Sequence, residues 1–159
     1  ITLADLPAEN FVTMIKKTER TISETGLKNS NARLLPIDTV VVSTRATIGR
    51  VGIAKTQLAT NQGFKNVIIE RPSEILPEYL AYALLSKTDE MISLASGATF
   101  KEISKENFCT IQIPLLPLEQ QKSIIAEFES YKRAISDAQA IIDSYTAKIE
   151  SKIKTVWEE

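Results

Sequence analysis

The stretch that decides the fold is LEQQKSIIAEFESYKRAISDAQAIIDSYTAKIESKIKTVWEE, which occupies residues 118–159 and contains neither Gly nor Pro. Its apolar residues are spaced alternately four and three apart, which is the heptad repeat of a coiled coil. Pro117 and Glu119 are residue types favoured at the start of a helix. The helix-pairing stripe is predicted to consist of Ile124, Phe128, Tyr131, Ile135, Ala138, Ile142, Tyr145, Ile149 and Val156, with Lys152 at one further heptad position.

A helix of this length requires a partner. At 1.5 Å per residue it extends roughly 60 Å, and a preceding domain of about 115 residues is too small to cover the whole stripe. Large Tyr131 and Tyr145 alternate with small Ala138, which suits packing between non-identical or antiparallel helices. The stripe is widened by Ile125, Ile141 and Ile153, which could contact a third helix or another surface. A long core helix of a helical bundle is the alternative interpretation.

The residues before this helix predict an α+β domain. They contain all five Gly and all six Pro of the chain. β-Branched and apolar runs predict strands at residues 39–43, 51–54, 64–69 and 111–113. A helix is expected to begin at Pro77 and to end near Gly97. Its apolar face would consist of Leu80, Leu84, Met91 and Ile92. The expected fold is therefore a mixed α/β domain followed by one long coiled-coil helix.

The composition excludes several classes of function. The 159 residues include no His and one Cys, so a Ser-His-Asp triad, a Cys-His pair, a histidine-ligated metal and an internal disulfide are all excluded. Cys109 follows Phe108 in an apolar context and is expected to be buried. No apolar run is long enough for a membrane span, and no signal peptide is recognisable, so a cytoplasmic protein is predicted. The chain begins at Ile1 rather than Met, which indicates a fragment or a trimmed chain.

Charge is distributed unevenly along the chain. Residues 1–60 carry a net charge of +3, whereas residues 61–117 and 118–159 each carry −2, within a total of −1. A surface that binds a polyanion is therefore expected in the first third of the chain. A surface of mixed charge is the ordinary alternative.

Three short stretches could contact a nucleic acid. Residues 22–30 form either a capped short helix and a loop, or a loop that touches phosphates and, through Asn29, bases. Residues 43–50 could present Arg45 and Arg50 to phosphate or to guanine edges, or leave both solvated. Residues 59–64 place two amides where they could contact adenine, although Asn and Gly are also the commonest turn residues.

Together these stretches resemble the target recognition domain of type I restriction-modification specificity subunits. The resemblance lies in residues 21–30 (TISETGLKNS), 34–36 (LLP), 41–49 (VVSTRATIG), 60–64 (TNQGF), 97–103 (GATFKEI) and 113–121 (IPLLPLEQQ). It implies that residues 1–116 form a target recognition domain that lacks the family's N-terminal strands. It also implies that residues 117–159 form the conserved spacer helix of the family.

The resemblance further implies a non-catalytic subunit that recognises one half of a split sequence in double-stranded DNA. Modification subunits with S-adenosylmethionine would methylate adenine, and restriction subunits with ATP and Mg would translocate and cleave DNA. The chain itself would have no catalytic residue, no metal and no cofactor. The family usually has two recognition domains and two antiparallel helices. This helix would therefore pair with a missing second helix or with a copy of itself.

The predicted DNA-binding residues fall into three groups: phosphate contacts from Lys16, Lys17, Lys28 and Arg33, base contacts from Asn29, Arg45, Asn61 and Gln62, and further loop contacts from Thr47, Thr99 and Lys101. Residues 47–49 and 61–63 are shared by the family and could instead serve folding. In that case, the residues that determine specificity would lie in loops such as 9–20. The alternative function is a coiled-coil assembly module whose small domain binds protein; an enzyme with an unrecognised site is a third class.

Overall fold

The computed structural model describes residues 1–7 and 11–157. Glu9 and Asn10 of the predicted specificity loop 9–20, and Glu158 and Glu159 of the predicted helix, lie outside the described residues. The chain consists of two units, residues 1–122 and 123–159. The long helix begins at Leu118, so its first turn belongs to the first unit.

The first unit is built around a four-stranded mixed sheet with the strand order β1-β3-β2-β4. The strands are β1 (Thr13–Ile15), β2 (Val40–Arg45), β3 (Thr47–Ala54) and β4 (Phe64–Val67). β1 runs parallel to β3, whereas β2 is antiparallel to both β3 and β4. The helices are α1 (Glu24–Lys28), α2 (Pro77–Ser86), α3 (Thr88–Leu94), α4 (Lys105–Phe108) and α5 (Leu118–Trp157), and a 3₁₀ turn spans Leu3–Asp5. The predicted α+β fold class is confirmed.

The β-branched run of β2 is buried because the sheet is covered on both faces. Val40 and Val42 belong to a core that includes residues of α2 and α3. Val41, which points to the opposite face, belongs to a second core with Leu6 and Phe64. A strand buried on both sides has a continuous apolar sequence instead of an alternating one. The predicted buried strand at residues 39–43 is therefore confirmed in type and nearly in extent.

Two of the strand predictions are wrong in their bounds. β3 begins at Thr47 rather than at residue 51, because the chain reverses directly at Ala46. β4 ends at Val67 rather than at residue 69.

 The φ of Ala46 is 61°, in the left-handed region, and this one residue turns the chain between the two strands. Residues 43–50 therefore form a tight hairpin.

The predicted strand at residues 111–113 is also wrong, since the structure describes this segment in full and has no strand there. The N–H groups of Thr110 and Ile111 donate to carbonyls of Asn107 and Phe108, at 3.1 and 3.3 Å, as the chain leaves α4. Ile111 and Ile113 are partly buried against the first core. The alternation of apolar residues at 111 and 113 thus reflects side-chain packing against the core and not pairing with a strand.

The predicted helix from Pro77 to Gly97 is divided into α2 and α3 at Lys87. The Thr88 hydroxyl donates to the Leu85 carbonyl at 2.7 Å and lies 3.4 Å from the Gly49 carbonyl, so α3 begins against the sheet. Leu80, Leu84 and Met91 are buried as expected, whereas Ile92 is exposed because α3 turns Met91 toward the core.

Cys109 is exposed, contrary to the prediction that it is buried. It follows the last residue of α4, and the preceding Phe108 takes the partly buried position against the first core. The apolar sequence around Cys109 therefore reflects the packing of Phe108 and not the burial of Cys109.

Gly49 and Gly52 allow close packing against β3. A Cβ on Gly49, whose φ is +93°, would lie 2.3 Å from Cγ2 of Thr88. A Cβ on Gly52 would lie 2.6 Å from Leu6 and 2.7 Å from Ile15. Real Cβ atoms do not approach other atoms so closely. Glycine at residue 49 therefore lets α3 pack against β3, and glycine at residue 52 lets the N-terminal segment and β1 pack there.

Gln121 joins the start of α5 to the rest of the first unit. Its side chain is fully buried. Oε1 accepts a hydrogen bond from the Leu76 N–H at 2.9 Å, and Nε2 donates to the carbonyls of Glu74 and Leu116 at 2.8 and 2.7 Å. The segment before α5 is held further by Tyr79, whose hydroxyl donates to the Pro114 carbonyl at 2.8 Å.

Asp5 holds the N-terminal segment. Its carboxylate accepts hydrogen bonds from the backbone N–H groups of Thr2 and Glu19, each at 2.7 Å, and from the Thr2 hydroxyl at 3.1 Å. Burial by itself raises the pKa of Asp5, but the hydrogen bonds from Glu19 and Thr2 outweigh it, so the pKa lies below its usual value.

The second unit continues α5 to Trp157. Most of the predicted stripe faces solvent in the described chain, from Phe128 at 39% exposure to Tyr145 at 61%. The widening residues Ile141 and Ile153 are exposed as well, at 60% and 50%. An apolar surface of this length on a single helix is unusual without a partner.

Candidate nucleic-acid interface

The tip of the β2–β3 hairpin presents Arg45 to solvent. Nε of Arg45 lies 3.7 Å from Oε2 of Glu102, and Nζ of Lys65 lies 3.9 Å from Oε1 of the same carboxylate. Two cations therefore share the carboxylate of Glu102. Thr47, the first residue of β3, lies at the same turn.

Residues 96–102 form a loop that is attached to this hairpin. The N–H of Ala46 donates to the Lys101 carbonyl, and the N–H of Ile103 donates to the Thr44 carbonyl, both at 3.0 Å. The loop thus brings Thr99 and Lys101, both exposed, to the hairpin tip. The structure therefore joins residues from the first and last parts of the first unit.

The turn that contains Asn61 and Gln62 lies beside the same tip. Oδ1 of Asn61 accepts a hydrogen bond from the Gly63 N–H at 2.8 Å. The Gly63 carbonyl accepts from the backbone N–H and the hydroxyl of Thr44, at 2.8 and 3.2 Å. The amide oxygen of Asn61 thus stabilises the turn, which supports the folding role considered for this motif, whereas Gln62 is exposed.

A shallow concavity unites these elements. It has a volume of about 370 Å³ and is lined by Leu3, Arg45, Ala46, Asn61, Gln62, Gly63, Phe64 and Phe100. We call the surface formed by this concavity, Thr99 and Lys101 the hairpin-tip surface. It carries five of the predicted DNA-binding residues, Arg45, Asn61, Gln62, Thr99 and Lys101, on three segments that are distant in sequence.

A larger groove adjoins the hairpin-tip surface and shares Asn61, Gln62 and Phe64 with it. The groove has a volume of about 880 Å³ and is open to solvent. Predicted Arg33 lines it, as does Arg20, the last residue of the alternative specificity loop 9–20. Asn31 and Asn66 line it as well and were not predicted. The amide of Asn66 donates to the Thr60 hydroxyl at 2.8 Å within this wall.

The segment of α1 confirms the interpretation as a capped short helix followed by a loop. The Ser23 hydroxyl caps it by accepting from the Gly26 N–H at 3.1 Å. Lys28 and Asn29 are exposed at its C-terminal end. Ser30, which follows, lines the groove, so these two residues lie close to its rim.

Other basic residues of the first third lie elsewhere or have structural roles. Lys16 and Lys17 are exposed, but they follow Ile15, which pairs with Ala54 at the end of β3 opposite the hairpin tip. The structure therefore does not bring them to the hairpin-tip surface. Contact with phosphate and a solvated side chain were both considered for Arg50. In the structure, its Nη1 donates to the carbonyls of Leu3 and Leu6, at 3.3 and 2.8 Å.

Lys55 is also engaged internally. Its Nζ lies 2.7 Å from Oδ1 of Asp38 and 3.1 Å from Oε1 of Glu78. Burial by itself lowers the pKa of Lys55, but the hydrogen bonds and charges of the two carboxylates outweigh it and raise the pKa. The basic excess of the first third is thus reduced at the surface, and Arg20, Arg33 and Arg45 are its cations along the groove and the hairpin tip.

The described residues show no metal centre: among them, no three Cys, Asp or Glu side chains are grouped so as to hold an ion. In the same part of the chain, no helix is both long enough and apolar enough to cross a membrane.

Three residues of the groove and the concavity were not predicted, and their signals in the sequence are weak. Phe100 is an aromatic in a polar loop, Asn31 is an amide after α1, and Asn66 is an amide within β4.

The chain is similar to proteins of one family over most of its length. A family model described as the type I restriction modification DNA specificity domain matches residues 6–145. The type I restriction enzyme MjaIX specificity subunit of Methanocaldococcus jannaschii is 38% identical over 135 residues, which are 82% of this chain and 30% of that protein. The chain thus spans less than a third of the length of this relative.

Two solved structures share the fold. The crystal structure of a type I restriction-modification system S subunit from M. genitalium matches with a TM-score of 0.58 and 19% identity, over 70% of this chain and 30% of that chain. A chain from a structure of the type I R-M system that describes complex assembly and conformational transition matches with a TM-score of 0.64 and 21% identity. That match covers 96% of this chain and 34% of the other.

Proposed function

Because the chain belongs to the type I restriction modification DNA specificity domain family, we propose that it recognises a sequence in double-stranded DNA as part of a specificity subunit. The observation that carries this proposal is the hairpin-tip surface, where Arg45, Gln62 and Lys101 come together from three separate segments. Each segment belongs to a motif on which the family resemblance rests. The comparisons confirm that resemblance.

The chemistry of the surface suits a duplex. Arg45 and Lys101 supply cations for phosphates, and an arginine can also bind the O6 and N7 atoms of guanine. Gln62 carries an exposed amide, which can bind the N6 and N7 atoms of adenine. Arg20 and Arg33 along the adjoining groove would hold the DNA backbone beyond the bases that the tip contacts.

We propose that this unit recognises one half of a split target and that α5 determines its distance from a second recognition unit. The support is the apolar stripe from Ile124 to Val156, most of which is exposed in the described chain. A second conserved helix or a copy of this chain would cover it, and the alternation of Tyr131, Ala138 and Tyr145 favours an antiparallel or non-identical partner.

We further propose that the chain does no chemistry itself. Modification subunits with S-adenosylmethionine and restriction subunits with ATP and Mg would supply methylation, translocation and cleavage. The absence of His from the sequence is compatible with this division of roles. The residues of this chain would bind and orient the DNA.

The proposal is tested by fluorescence anisotropy with a labelled 30-base-pair duplex of mixed sequence at rising salt concentration. Binding by neutralisation of phosphates predicts an affinity that falls steeply with salt. We expect Arg45→Ala to weaken binding about ten-fold, because it removes a cation that contacts phosphate or guanine.

Arg71→Ala is the matched control. Arg71 is exposed and pairs with Glu74 at 3.1 Å, as Arg45 pairs with Glu102, but it lies outside the hairpin-tip surface and the groove. Its substitution is expected to leave the affinity unchanged. If the wild-type protein does not bind the duplex even at low salt, the DNA-recognition proposal fails, and a small domain that binds protein becomes the better interpretation.

A further inference from the structure

Phe100 is a large apolar side chain displayed on a polar surface. It is 60% exposed and lies between Thr99 and Lys101, both of which are also exposed. It belongs to neither of the two cores. Single exposed apolar side chains are common on protein surfaces. What distinguishes Phe100 is its place in the hairpin-tip surface, beside the residues proposed to contact DNA.

The backbone around Phe100 is held in place. Ser96 and Glu102 exchange two main-chain hydrogen bonds, of 3.1 and 2.9 Å, that close the loop. Gly97 has a φ of +123°, and a Cβ on it would lie 2.3 Å from the carbonyl oxygen of Phe100. The loop is thus tight and packed against itself, and it presents the ring on a constrained support.

The surroundings of Phe100 favour DNA as its partner. The ring borders the same concavity as Arg45 and Gln62, and Lys101 follows it in the chain. A protein-docking site typically has a wider apolar centre. Here Leu3 and Phe64, which also line the concavity, are partly buried and buried, whereas Arg45, Gln62 and Lys101 are exposed. Proteins that deform DNA combine these features: cations hold the phosphates while an apolar wedge enters between base pairs.

On the basis of the proposed DNA recognition, we propose that Phe100 inserts at one base-pair step of the target duplex and partly unstacks it. Pyrimidine–purine steps unstack most easily. Phe100 would therefore select a TA or CA/TG step within the target without any hydrogen bond to a base. This is a contribution to specificity beyond the contacts proposed for Arg45 and Gln62.

The test is a selection from a pool of duplexes that contain 20 randomised base pairs, performed with wild-type protein, Phe100→Ala and Phe100→Leu. We expect the wild-type pool to enrich a motif with a pyrimidine–purine step at one position. The Phe100→Ala pool should keep the rest of the motif and lose that step. Phe100→Leu should retain the step, because leucine also serves as a wedge.

A selected duplex with 2-aminopurine at the step gives a direct signal. Its fluorescence should rise when wild-type protein binds and stay constant with Phe100→Ala, whose affinity should be about ten-fold lower. Leu115→Ala is the matched control, because Leu115 is also 60% exposed but lies away from the hairpin tip, and it should behave as wild type. Far-UV circular dichroism checks that the variants fold.

The outcomes separate the two proposals. If Phe100→Ala enriches the same step as wild type and gives the same 2-aminopurine signal, the wedge is refuted while DNA recognition stands. If the wild-type protein enriches no motif at all, the proposed function itself fails, and the wedge fails with it.

Discussion

Replacing Gln121 by leucine removes three hydrogen bonds from a buried position while nearly conserving the side-chain volume. The Leu76 N–H and the carbonyls of Glu74 and Leu116 would all lose their partner. Each buried polar group left unsatisfied costs about 1–3 kcal/mol. Because water can reach the partly buried main-chain groups, the lower end of that range applies to each of them.

The sum over three groups gives an expected loss of about 3 kcal/mol in the free energy of unfolding of the first unit. With a slope of about 1.5 kcal/mol per molar urea, the midpoint of unfolding would fall by about 2 M. The assay is urea unfolding followed by far-UV circular dichroism, with the midpoint and the slope fitted for wild type and variant.

Gln120→Leu is the matched control for this prediction. Gln120 is the adjacent glutamine on the same turn of α5, and it is exposed. Its replacement should change the free energy of unfolding by no more than about 0.5 kcal/mol. Equal midpoints for Gln121→Leu and Gln120→Leu would refute the role assigned to the buried amide.

Two further predictions concern the helix and the N-terminal segment. Ile142→Asp places a charge in the stripe and should abolish self-association or the capture of a partner helix, as measured by sedimentation velocity. Ser144→Asp, which lies away from the stripe, should leave that association unchanged. An unchanged sedimentation profile for Ile142→Asp would contradict the heptad register. Asp5→Asn should lower the free energy of unfolding at pH 7 by about 1–2 kcal/mol, because the N–H groups of Thr2 and Glu19 lose a charged acceptor. Since the folded pKa of Asp5 lies below the ordinary value of 3.8, its contribution is present above pH 3.8 and is lost as the pH falls through the folded pKa. Urea unfolding at pH 7 and at lower pH should therefore show a difference between wild type and Asp5→Asn that shrinks with acidification; a constant difference would contradict the assignment.

The elements with strong local signals were predictable from the sequence. The run at residues 39–43 is apolar throughout because both sheet faces are covered, and the heptad stripe of α5 repeats over many turns. β1 was missed because it has three residues and pairs in parallel with β3, far away in the chain. The break at Lys87 was missed because it depends on how α3 packs against Gly49, which no local pattern records.

The composition of the site was more predictable than its assembly. Arg45, Gln62 and Lys101 were singled out separately. Their proximity depends on main-chain hydrogen bonds of residues 44–46 with residues 101–103 and, for Gln62, on the bond between Thr44 and Gly63. The same cause explains the position of Arg50. It lies in the hairpin, on β3, yet its side chain turns to the carbonyls of the N-terminal segment, which only the fold brings within reach.

The most direct test of DNA recognition is methylome mapping of cells that express the subunit containing this chain together with its modification partner. We expect adenine methylation within a split sequence. Gln62→Ala should relax or abolish methylation at one half of that sequence, and Arg71→Ala should leave it unchanged. Two results would contradict the assignment of the hairpin-tip surface to DNA recognition. One is a methylome without any sequence-specific adenine methylation. The other is a methylated motif that is the same for wild type, Arg45→Ala and Gln62→Ala.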